Sequence, residues 1–407
     1  MKFDVTVVGA GPAGSTTAKF LAEKGVKVLL IDKDRFPRDK PCGGGIPLRT
    51  LKRFRYLREE DDLIDSYSYG GYAYSPSLKY RVELQKNEPL LAMVIRKKFD
   101  HGLVKLAVNS GAVFIDNRSA EDIKILRDKT RVTLNNGEHI ESQIVIGADG
   151  IWSNIAKKSG MIQNRRNICI CIFQEYQMSK EILDRFFTEK RLGYLHFNIQ
   201  GICGYGWVFP KKECINIGVA EFQHAVKNRL KKKMNLKEVY TMYIKILRKT
   251  GVIPDNIKVE EVKGAALPIY PAKKICSNRI VLCGDAAGLA NPATGEGIYY
   301  AMSSGKIAAD VVTKSLETGD TSAKFLSRYQ QIWEKDFGRE MKILFRISKR
   351  RWGRKNEKIF RLIESDKKTT DMLYDIIIGQ SNIMGYRWKM IQHILYLYLK
   401  DKFKSKK

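Results

Sequence analysis

Short apolar runs alternate with glycine turns and a helical stretch in the first thirty residues. Residues 3–8 are apolar or β-branched except for Asp4, which predicts a buried strand, and apolar side chains in residues 13–24 recur with the helical period. Gly25 fits the end of this helix, and residues 26–31, VKVLLI, predict a second buried strand. Strand, helix and strand in this order predict the first βαβ unit of a parallel sheet.

The turn between the first strand and the helix has the pattern G-x-G-x-x-G, formed by Gly9, Gly11 and Gly14. Glycines at this spacing let the backbone approach a pyrophosphate, whose charge is met by the N-terminus of the helix. Asp32 ends the second strand, where its carboxylate would accept hydrogen bonds from ribose hydroxyls. The combination predicts a dinucleotide site and does not choose between NAD and FAD.

Two later segments each place an aspartate and a glycine at the end of a buried strand. QIVIGADG ends in Asp149 and Gly150, and NRIVLCGD ends in Gly284 and Asp285. These segments resemble the DG and GD motifs of FAD-dependent enzymes with the p-hydroxybenzoate hydroxylase fold. Their occurrence in the same order as in those enzymes favours FAD.

The resemblance implies roles for particular residues. In those enzymes the GD aspartate binds the ribitol chain, and the dipole of the helix that follows stabilises reduced flavin. Gly297, Ala301 and Gly305 recur every four residues of this helix, which predicts a face small enough for close packing. The FAD contacts implied are Gly9, Gly11, Pro12, Ala13, Gly14, Asp32, Lys33, Cys42, Gly43, Arg96, Asp149, Gly150, Gly284, Asp285, Pro292, Gly295, Glu296, Gly297 and Ile298.

Two further stretches resemble a narrower family. FPRDKPCGGG matches a P-x-D-K-x-C-G-G-G pattern, and YGWVFP matches Y-x-W-x-F-P. Together with the FAD motifs, residues 1–320 resemble the geranylgeranyl reductase family. Its members are flavoenzymes that saturate isolated double bonds of isoprenoid chains in archaeal lipids, chlorophyll precursors and some quinones. The matched positions are Pro37, Asp39, Lys40, Cys42, Gly43, Gly44, Gly45, Tyr205, Trp207, Phe209 and Pro210.

The first of these stretches is the predicted catalytic segment, Cys42, Gly43, Gly44 and Gly45. An isolated alkene has no carbonyl to polarise it, so its reduction needs a hydride, a proton source and a dry pocket. The glycines would let the chain run flat beside the flavin, and Cys42 would lie at the flavin edge as a proton donor or as a conformational gate. A small buried thiol without a catalytic role is the alternative.

The second stretch is predicted to contact substrate through Tyr205, Trp207, Phe209 and Pro210. Because side chains alternate along a strand, the three rings are expected on one face, where they would line a slot for a prenyl chain and stabilise developing positive charge. Plain core packing is the alternative. KKECINIGVAEF, residues 211–222, is predicted to be the hairpin partner, with its polar Lys and Glu residues at the turn.

The patterns predict a mixed α/β fold with a Rossmann-type FAD-binding domain, an antiparallel-sheet substrate domain and a C-terminal helical region. The predicted boundaries are residues 1–62, 92–158 and 264–318 for the FAD-binding domain, 63–91 and 159–263 for the substrate-binding domain, and 319–407 for the helical, basic region.

Charge adds a prediction about partners. The chain has 73 Lys and Arg against 44 Asp and Glu, a net charge of +29, which favours a polyanionic partner. No nucleic-acid motif accompanies the charge, so nucleic acid is not predicted as a partner. The C-terminal stretch MIQHILYLYLKDKFKSKK is too short to span a bilayer but is suited to lie on an anionic membrane surface. A packed helix with a disordered tail is the alternative.

The seven cysteines are scattered and form no C-x-x-C pair, which argues against disulfides, zinc and iron–sulfur clusters. No cysteine follows Cys283, which disfavours an electron-transfer flavoprotein with a C-terminal iron–sulfur cluster. No metal is expected. The chain begins with a strand-like sequence rather than a signal peptide, and a cytoplasmic enzyme, peripheral on the inner face of the membrane, is predicted.

The sequence therefore predicts a FAD-dependent reductase of geranylgeranyl chains, acting on archaeal-type membrane phospholipids. The alternatives are a reductase of a chlorophyll precursor or of menaquinone, and a monooxygenase or halogenase on the same fold. No second G-x-G-x-x-G follows a strand, so NADPH, ferredoxin or another reductant would visit transiently. The sequence does not indicate an oligomeric state.

Overall fold

The computed structural model describes residues 2–60, 62–161, 167–228, 234–351, 356–364, 366–378 and 383–404. The strands in chain order are β1 (Lys2–Val8), β2 (Val28–Ile31), β3 (Gly45–Pro47), β4 (Ser66–Ser68), β5 (Gly70–Tyr74), β6 (Arg81–Gln85), β7 (Leu91–Met93), β8 (Val113–Ile115), β9 (Ala120–Ile125), β10 (Thr130–Leu134), β11 (His139–Gly147), β12 (Ile168–Gln177), β13 (Gly193–Phe197), β14 (Gly204–Pro210), β15 (Cys214–Phe222), β16 (Lys263–Pro268), β17 (Cys276–Ser277) and β18 (Ile280–Leu282). The helices are α1 (Pro12–Ala22), α2 (Leu48–Arg53), α3 (Arg96–Asn109), α4 (Asn154–Lys158), α5 (Lys180–Phe187), α6 (Leu236–Lys249), α7 (Ile298–Thr318), α8 (Ala323–Trp333), α9 (Arg339–Arg351), α10 (Asn356–Ile363), α11 (Lys367–Ile378) and α12 (Ile383–Lys404).

The chain divides into two compact units, each built from three segments. Unit 1 contains Met1–Lys40, Arg96–Ile168 and Ala266–Phe345, and unit 2 contains Pro41–Ile95, Cys169–Ala265 and Arg346–Lys407. Residues 41–62, predicted from the sequence to lie in the FAD-binding domain, belong to unit 2. Residues 319–345 belong to unit 1 and the rest of the C-terminal region to unit 2. The three-part division stays a prediction.

The central sheet of unit 1 has the strand order β17-β18-β11-β1-β2-β8, with β10 and β9 added beside β11. Strand β1 pairs in parallel with β11 and β2, and β11 pairs in parallel with β18. Strand β2 is buried along its whole length, and so is the second half of β1, as their continuous apolar sequences predicted. Parallel pairing brings the carboxyl ends of β1, β2, β11 and β18 to one edge of the sheet.

Helices α1 and α7 of unit 1 approach closely through small residues. A Cβ added at Gly305 would lie 2.5 Å from Ala13 O and 2.8 Å from Thr17 Oγ1. A Cβ at Gly284, in the turn after β18, would lie 2.9 Å from Ala13 Cβ of α1 and 3.4 Å from Ala301 Cβ of α7. The small face predicted for α7 is confirmed, because any larger side chain at Gly305 would push the two helices apart.

The main sheet of unit 2 has the order β16-β12-β15-β14-β13-β5-β6. Strands β14 and β15 form the predicted antiparallel hairpin, and β12 adds to the other side of β15. The expectation of an antiparallel sheet needs one correction, because β13 and β5 pair in parallel. These two strands come from distant segments of the chain, so no hairpin turn dictates their relative direction.

Helix α6 covers one face of this sheet. The ring of Tyr243 lies so close to Gly206 that a Cβ there would be 2.6 Å from Tyr243 Cζ. Tyr243, Ile244 and Leu247 are buried against Ile217 and other apolar residues of the sheet. A small separate sheet, β3-β7-β4, contains the end of the glycine segment.

The C-terminal helices α10, α11 and α12 of unit 2 confirm the predicted helical character of this region. They attach to the β5–β6 hairpin through polar contacts. Glu357 accepts a hydrogen bond from Ser75 Oγ at 3.1 Å, Glu364 accepts one from Arg81 N at 2.9 Å, and Lys86 pairs with Asp371 at 2.6 Å. Within the described ranges, no helix combines the length and apolar character needed to cross a bilayer.

Candidate active site

The carboxyl edge of the unit 1 sheet collects the predicted nucleotide residues. Gly9 follows β1, Asp32 follows β2, Asp149 lies two residues past β11, and Asp285 lies three residues past β18. In sheets of this type, ligands bind outside the carboxyl ends of the parallel strands. The structure therefore gathers four separate sequence signals at one edge of one sheet.

The three glycines of the turn have two different roles. Gly9 and Gly14 pack against neighbouring backbone, whereas Gly11 leaves open space beside the start of α1. Gly9 has φ +100°, and a Cβ there would lie 2.3 Å from Ala148 O. A Cβ at Gly14 would overlap Gly9 O. At Gly11 the nearest atom to an added Cβ would be Arg38 Nη2, 3.6 Å away. Helix α1 begins after Gly11 without a capping side chain among the described residues, so its first N–H groups suit an anionic ligand.

Asp32 is held rigidly at the end of β2. Its Oδ2 accepts a hydrogen bond from Ala10 N at 2.6 Å, and its Oδ1 accepts one from Asp34 N at 2.9 Å. Burial raises the pKa of Asp32, while the hydrogen bond from Asp34 and the charge of Arg38 oppose the rise. The carboxylate retains acceptor capacity beyond these two bonds, which suits ribose hydroxyls.

Two arginines of unit 1 share one buried aspartate. Nε and Nη2 of Arg96 each donate to the carboxylate of Asp100 at 2.8 Å. Arg38 Nη2 lies 3.1 Å from Asp100 Oδ2 on the same carboxylate, which has no exposed surface. Arg96 was predicted from the sequence as a site residue, whereas Asp100 and Arg38 were not. The four-residue spacing from Arg96 to Asp100 on one helix was the available signal.

Beyond its contact with Asp100, Arg38 is only loosely paired, since its Nε lies 3.7 Å from Asp34 Oδ2 and 4.0 Å from Asp32 Oδ1. Its Nε and Nη1 are buried and make no hydrogen bond to any described residue. The guanidinium lies 4.9 Å from the ring centre of Phe36 and next to Gly11. Buried donors without hydrogen bonds are costly, and an anionic group near the glycine turn would satisfy them.

Asp149 is engaged by the protein itself. Its two carboxylate oxygens accept hydrogen bonds from Ser153 Oγ at 2.5 Å and from Ile155 N at 3.2 Å, at the start of α4. Burial raises the pKa of Asp149, and the hydrogen bond from Ser153 opposes the rise. Gly150 has φ +80°, which turns the chain after the strand. The observed role of Asp149 is to fix this turn, and its FAD contact stays a prediction.

Asp285 lies beside the start of α7. A Cβ at Gly297, the residue before the helix, would be 3.8 Å from Asp285 Oδ1. Burial raises the pKa of Asp285, opposed by the charges of Lys40 and Arg96. The loop before α7 is tightly folded, since Asn291 Oδ1 accepts hydrogen bonds from the backbone N–H groups of residues 293 and 294 at 2.9 and 3.2 Å. The predicted loop positions in this stretch are Pro292, Gly295, Glu296, Gly297 and Ile298.

In unit 2 the glycine segment lies against the aromatic strand β14. A Cβ at Gly43 would be 3.2 Å from the Phe209 ring and 3.4 Å from Trp207 Nε1. Gly44 has φ +79°, and its carbonyl accepts a hydrogen bond from Val94 N at 2.8 Å. The two stretches that suggested the narrower family therefore meet in space, although they lie far apart in the chain.

The three rings of β14 share one face, as the alternation of strand side chains predicted. Ring centres of Tyr205 and Trp207 are 6.0 Å apart, and those of Trp207 and Phe209 are 6.2 Å apart. Gly218 on β15 makes room for the indole, because a Cβ there would lie 2.1 Å from Trp207 Cζ2. Whether this face contacts substrate stays a prediction.

Several thiols surround the end of this aromatic row. Burial raises the pKa of the Tyr205 hydroxyl, and the nearby thiols of Cys169, Cys171 and Cys42 contribute to the rise. All seven cysteines are described, and none of them forms a disulfide; six are buried, whereas Cys42 is half-buried. Cys42 Sγ accepts a hydrogen bond from Gly44 N at 3.4 Å, so the thiol folds back onto its own segment.

The β14–β15 turn contains the predicted Lys and Glu residues, and one of them is buried. Lys212 and Glu213 are exposed, whereas the side chain of Lys211 is only 1% exposed and lies 2.5 Å from Glu175 Oε1. The backbone bond from Lys211 N to Cys214 O keeps Lys211 in register with the strand, so its side chain points inward. Neither Lys211 nor Glu175 was predicted from the sequence as a site residue.

Comparison with known proteins identifies the family. Residues 2–334 match the family model for an FAD binding domain. Over 341 residues, 82% of either chain, the sequence is 32% identical to the digeranylgeranylglycerophospholipid reductase of Methanocaldococcus jannaschii. The chain belongs to the geranylgeranyl reductase family. It is accordingly a flavoprotein oxidoreductase that uses FAD.

Solved structures agree with this membership at the level of the fold. A geranylgeranyl bacteriochlorophyll reductase-like protein from Thermoplasma acidophilum superposes with a TM-score of 0.79 at 22% identity, covering 95% of this chain and 98% of the other. The halogenase PltM, in complex with phloroglucinol and FAD, gives a TM-score of 0.69 at 16% identity, covering 92% and 82%. The FAD-binding fold of this reductase family member and its C-terminal helices are thereby confirmed.

The residues of unit 1 fit the FAD that the family uses. The space at Gly11, the uncapped start of α1 and the donors of Arg38 suit a pyrophosphate, and Asp32 suits a ribose. The start of α7 beside Asp285 offers a helix dipole. The specific contacts of these residues with FAD stay predictions.

Proposed function

We propose that this protein saturates the isolated double bonds of geranylgeranyl chains on archaeal-type membrane phospholipids. The observation that carries the proposal is the packing of Gly43 against Phe209 and Trp207 within unit 2. It joins the two stretches that resemble the reductase family, of which the cysteine and glycine stretch favours a reductase over a halogenase. The relatives named digeranylgeranylglycerophospholipid reductase, at about 30% identity, support the phospholipid as the acceptor.

The chemistry requires a hydride, a proton and exclusion of water. FAD held by unit 1 residues such as Asp32 and Arg38 would, when bound and reduced, supply the hydride, and a proton would complete the addition to the alkene. The chain's own contribution is an apolar wall, because Tyr205, Trp207 and Phe209 present three adjacent rings on one sheet face. The indole N–H of Trp207 is satisfied by Asn216 Oδ1 at 2.8 Å, so the indole itself would present apolar surface rather than a donor to a prenyl chain.

Cys42 and the glycines after it are the proposed catalytic segment. The half-buried thiol on a segment with three glycines suits either proton donation or a conformational gate. We expect Cys42→Ala and Cys42→Ser to lower kcat at least about tenfold while FAD stays bound. Cys276→Ala, which removes a buried thiol of unit 1, is the control and should keep wild-type kcat. Unchanged turnover in both Cys42 variants would remove the thiol from the mechanism.

The direct test of the proposed activity uses reduced protein. The purified flavoprotein is reduced with dithionite without oxygen and mixed with a phospholipid carrying two geranylgeranyl chains. Mass spectrometry of the extracted lipid should show hydrogen added in pairs while the flavin spectrum returns to the oxidised form. A lipid of unchanged mass beside a stably reduced flavin would contradict the proposal.

The same assay distinguishes the alternatives. Chlorophyll precursors and menaquinone bearing geranylgeranyl chains are offered in parallel, and the preferred acceptor is the one with the highest kcat/KM. A monooxygenase or halogenase, suggested by the fold shared with PltM, would instead consume oxygen in step with a substrate that gains oxygen or halogen. Mixing the oxidised protein with NADPH or with reduced ferredoxin identifies the electron donor by the loss of flavin absorbance.

Attachment to an anionic membrane surface forms a second part of the proposal, and α12 supports it. Trp388, Ile391, Leu395, Leu399 and Phe403 fall on one face of the helix at spacings of three or four residues. All five are exposed; Trp388 is 63% and Phe403 72% exposed. An apolar helix face of this size in water indicates an interaction site.

The opposite side of α12 is anchored to other helices of unit 2. The apolar face is therefore the exposed side of an ordered helix. His393 lies 2.7 Å from Asp366, and Tyr386 donates a hydrogen bond to Asp375 at 2.6 Å. Exposed Lys389, Lys400 and Lys402 accompany the apolar face, while the last three residues of the basic tail lie outside the described ranges. Apolar and basic residues together fit an anionic lipid surface, on the cytoplasmic side by our proposal.

Vesicle flotation tests the membrane contact. We expect the protein to float with vesicles containing anionic lipid at low salt, to bind less at high salt, and to bind neutral vesicles weakly. Leu395→Glu combined with Leu399→Glu should lower binding at least about tenfold. Ile125→Glu, at an exposed apolar position of unit 1, is the matched control and should bind like the wild type. Equal flotation of both variants would refute the assignment of α12.

A further inference from the structure

A buried lysine is the feature of unit 2 that the proposed reaction does not use. Lys211 is among the largest fully buried side chains of the protein, and its Nζ lies 2.5 Å from Glu175 Oε1. Glu175 is about one-third exposed, so one end of the ion pair reaches solvent. Replacing a buried ion pair with apolar side chains is often neutral or stabilising, so this pair calls for an explanation other than stability.

Asn216 connects this ion pair to the catalytic segment. It lies opposite Phe209 on one neighbouring strand and opposite Glu175 on the other, so all three side chains project from the same sheet face. Its Nδ2 donates to Glu175 Oε1 at 3.2 Å and to the carbonyl oxygen of Cys42 at 3.3 Å. Its Oδ1 accepts from Trp207 Nε1 at 2.8 Å. Asn216 is fully buried, and one side chain thus touches both family stretches.

Lys211 contacts the same segment from another side. A Cβ at Gly44 would lie 3.1 Å from Lys211 Nζ and 3.4 Å from Lys211 Cε. The lysine side chain therefore occupies the space that a side chain at position 44 would fill. Three glycines in a row give the backbone of residues 43–45 many conformations, and contacts from outside the segment must select one of them.

We propose that Lys211, Glu175 and Asn216 are positioning residues that hold the Cys42–Gly44 backbone against Trp207. The hydrogen bond to the Cys42 carbonyl and the ammonium over Gly44 fix one conformation of the segment, and with it the place of the Cys42 thiol. The inference rests on the proposed function insofar as that thiol takes part in the reduction. The contacts themselves do not depend on it.

Two variants and one matched control test the network. Lys211→Met removes the ammonium but keeps the length of the side chain, and Asn216→Leu removes the three hydrogen bonds but keeps the volume. Lys212→Met changes the neighbouring lysine, which is exposed at the turn. Flavin content and the unfolding midpoint are measured first, so that a variant that fails to fold is recognised and the other variant decides.

The readout independent of activity is the reaction of Cys42 with a small thiol reagent, since the other six thiols are buried. We expect Lys211→Met and Asn216→Leu each to change the labelling rate of Cys42 at least about tenfold, corresponding to about 1.4 kcal/mol. The double variant should change the rate by less than the product of the two, because the residues act as one network. Lys212→Met should label like the wild type.

Kinetics with the isoprenoid phospholipid supply the second readout. The same two variants should lower kcat while KM for the lipid and the bound FAD stay near wild type, a pattern that general destabilisation would not produce. Wild-type labelling rates in both variants, or an effect of Lys212→Met equal to that of Lys211→Met, would overturn the inference. Altered labelling in a protein that reduces no isoprenoid lipid would uphold the positioning role and refute the proposed function.

Discussion

Substitution of Gly44 by alanine tests how the catalytic segment is built. Gly44 has φ +79°, a conformation that costs an L-residue about 1–2 kcal/mol. A Cβ there would also lie 2.3 Å from Val94 O, far inside van der Waals contact. Since Val94 belongs to the neighbouring backbone, the clash is relieved only by moving the chain.

The matched control is Gly251→Ala in the same unit. Gly251 has φ +68°, and a Cβ there would meet no described atom within 4 Å. Both variants therefore bear the backbone cost, and only Gly44→Ala bears the clash. We expect overpacking of about 1–3 kcal/mol, plus about 1 kcal/mol for the weakened bond from Val94 N to Gly44 O. Gly44→Ala should thus lose about 2–4 kcal/mol more than Gly251→Ala.

Urea unfolding, followed by tryptophan fluorescence and by circular dichroism, measures the difference, with two probes because the chain has two units. Turnover should fall at least about tenfold in Gly44→Ala and stay near wild type in Gly251→Ala. FAD content should stay close to that of the wild type, because all the predicted FAD contacts except Cys42 and Gly43 lie in unit 1. Equal stability and equal turnover of the two variants would refute the account of residues 43–45.

Three further predictions concern substitutions of single residues. Asp100→Asn leaves two guanidinium groups without their shared carboxylate, so we expect a loss of about 3–5 kcal/mol in unfolding free energy and a lower FAD content; a wild-type urea midpoint would contradict this. Gly11→Ala should fold normally, because its Cβ meets nothing closer than 3.6 Å, yet weaken FAD binding at least about tenfold in a fluorescence titration of the apoprotein. Burial lowers the pKa of His196 to about 4 from an ordinary value near 6.5. Because the unfolded chain binds this proton more readily, the free energy of unfolding should fall as the pH drops from about 6.5 to about 4. The urea midpoint of His196→Gln should fall less steeply across that pH range. An identical slope in the variant and the wild type would exclude His196 as the cause.

Local sequence patterns were sufficient to predict the nucleotide-binding fold. The G-x-G-x-x-G turn, the apolar strands and Asp32 are close in sequence, and short-range constraints on backbone and burial determine their structure. The hairpin of β14 and β15 and the shared face of its three rings were also predictable, because strand alternation is a local property. Family membership could be inferred from motifs that each span about ten residues.

Tertiary structure decided what the motifs contact. Asp100 pairs with Arg38 from a different segment, and nothing in the sequence near either residue indicates that pairing. The exposed apolar face of α12 appears only once the opposite side of the helix is seen to be anchored. The parallel pairing of β13 and β5 likewise depends on a long connection whose direction no local turn sets.

Lys211 shows most clearly the difference between what the sequence predicts and what only the folded structure decides. By sequence it stands beside Lys212 and Glu213, and a run of charged residues at a hairpin predicts exposure. The fold buries it because the backbone register carries its side chain inward, where Glu175 from another strand supplies the compensating charge. Hydrophobic periodicity and glycine spacing act over a few residues, so they can be recognised in the sequence. A buried charge is compensated by a partner that only folding brings near, so its burial cannot be recognised there.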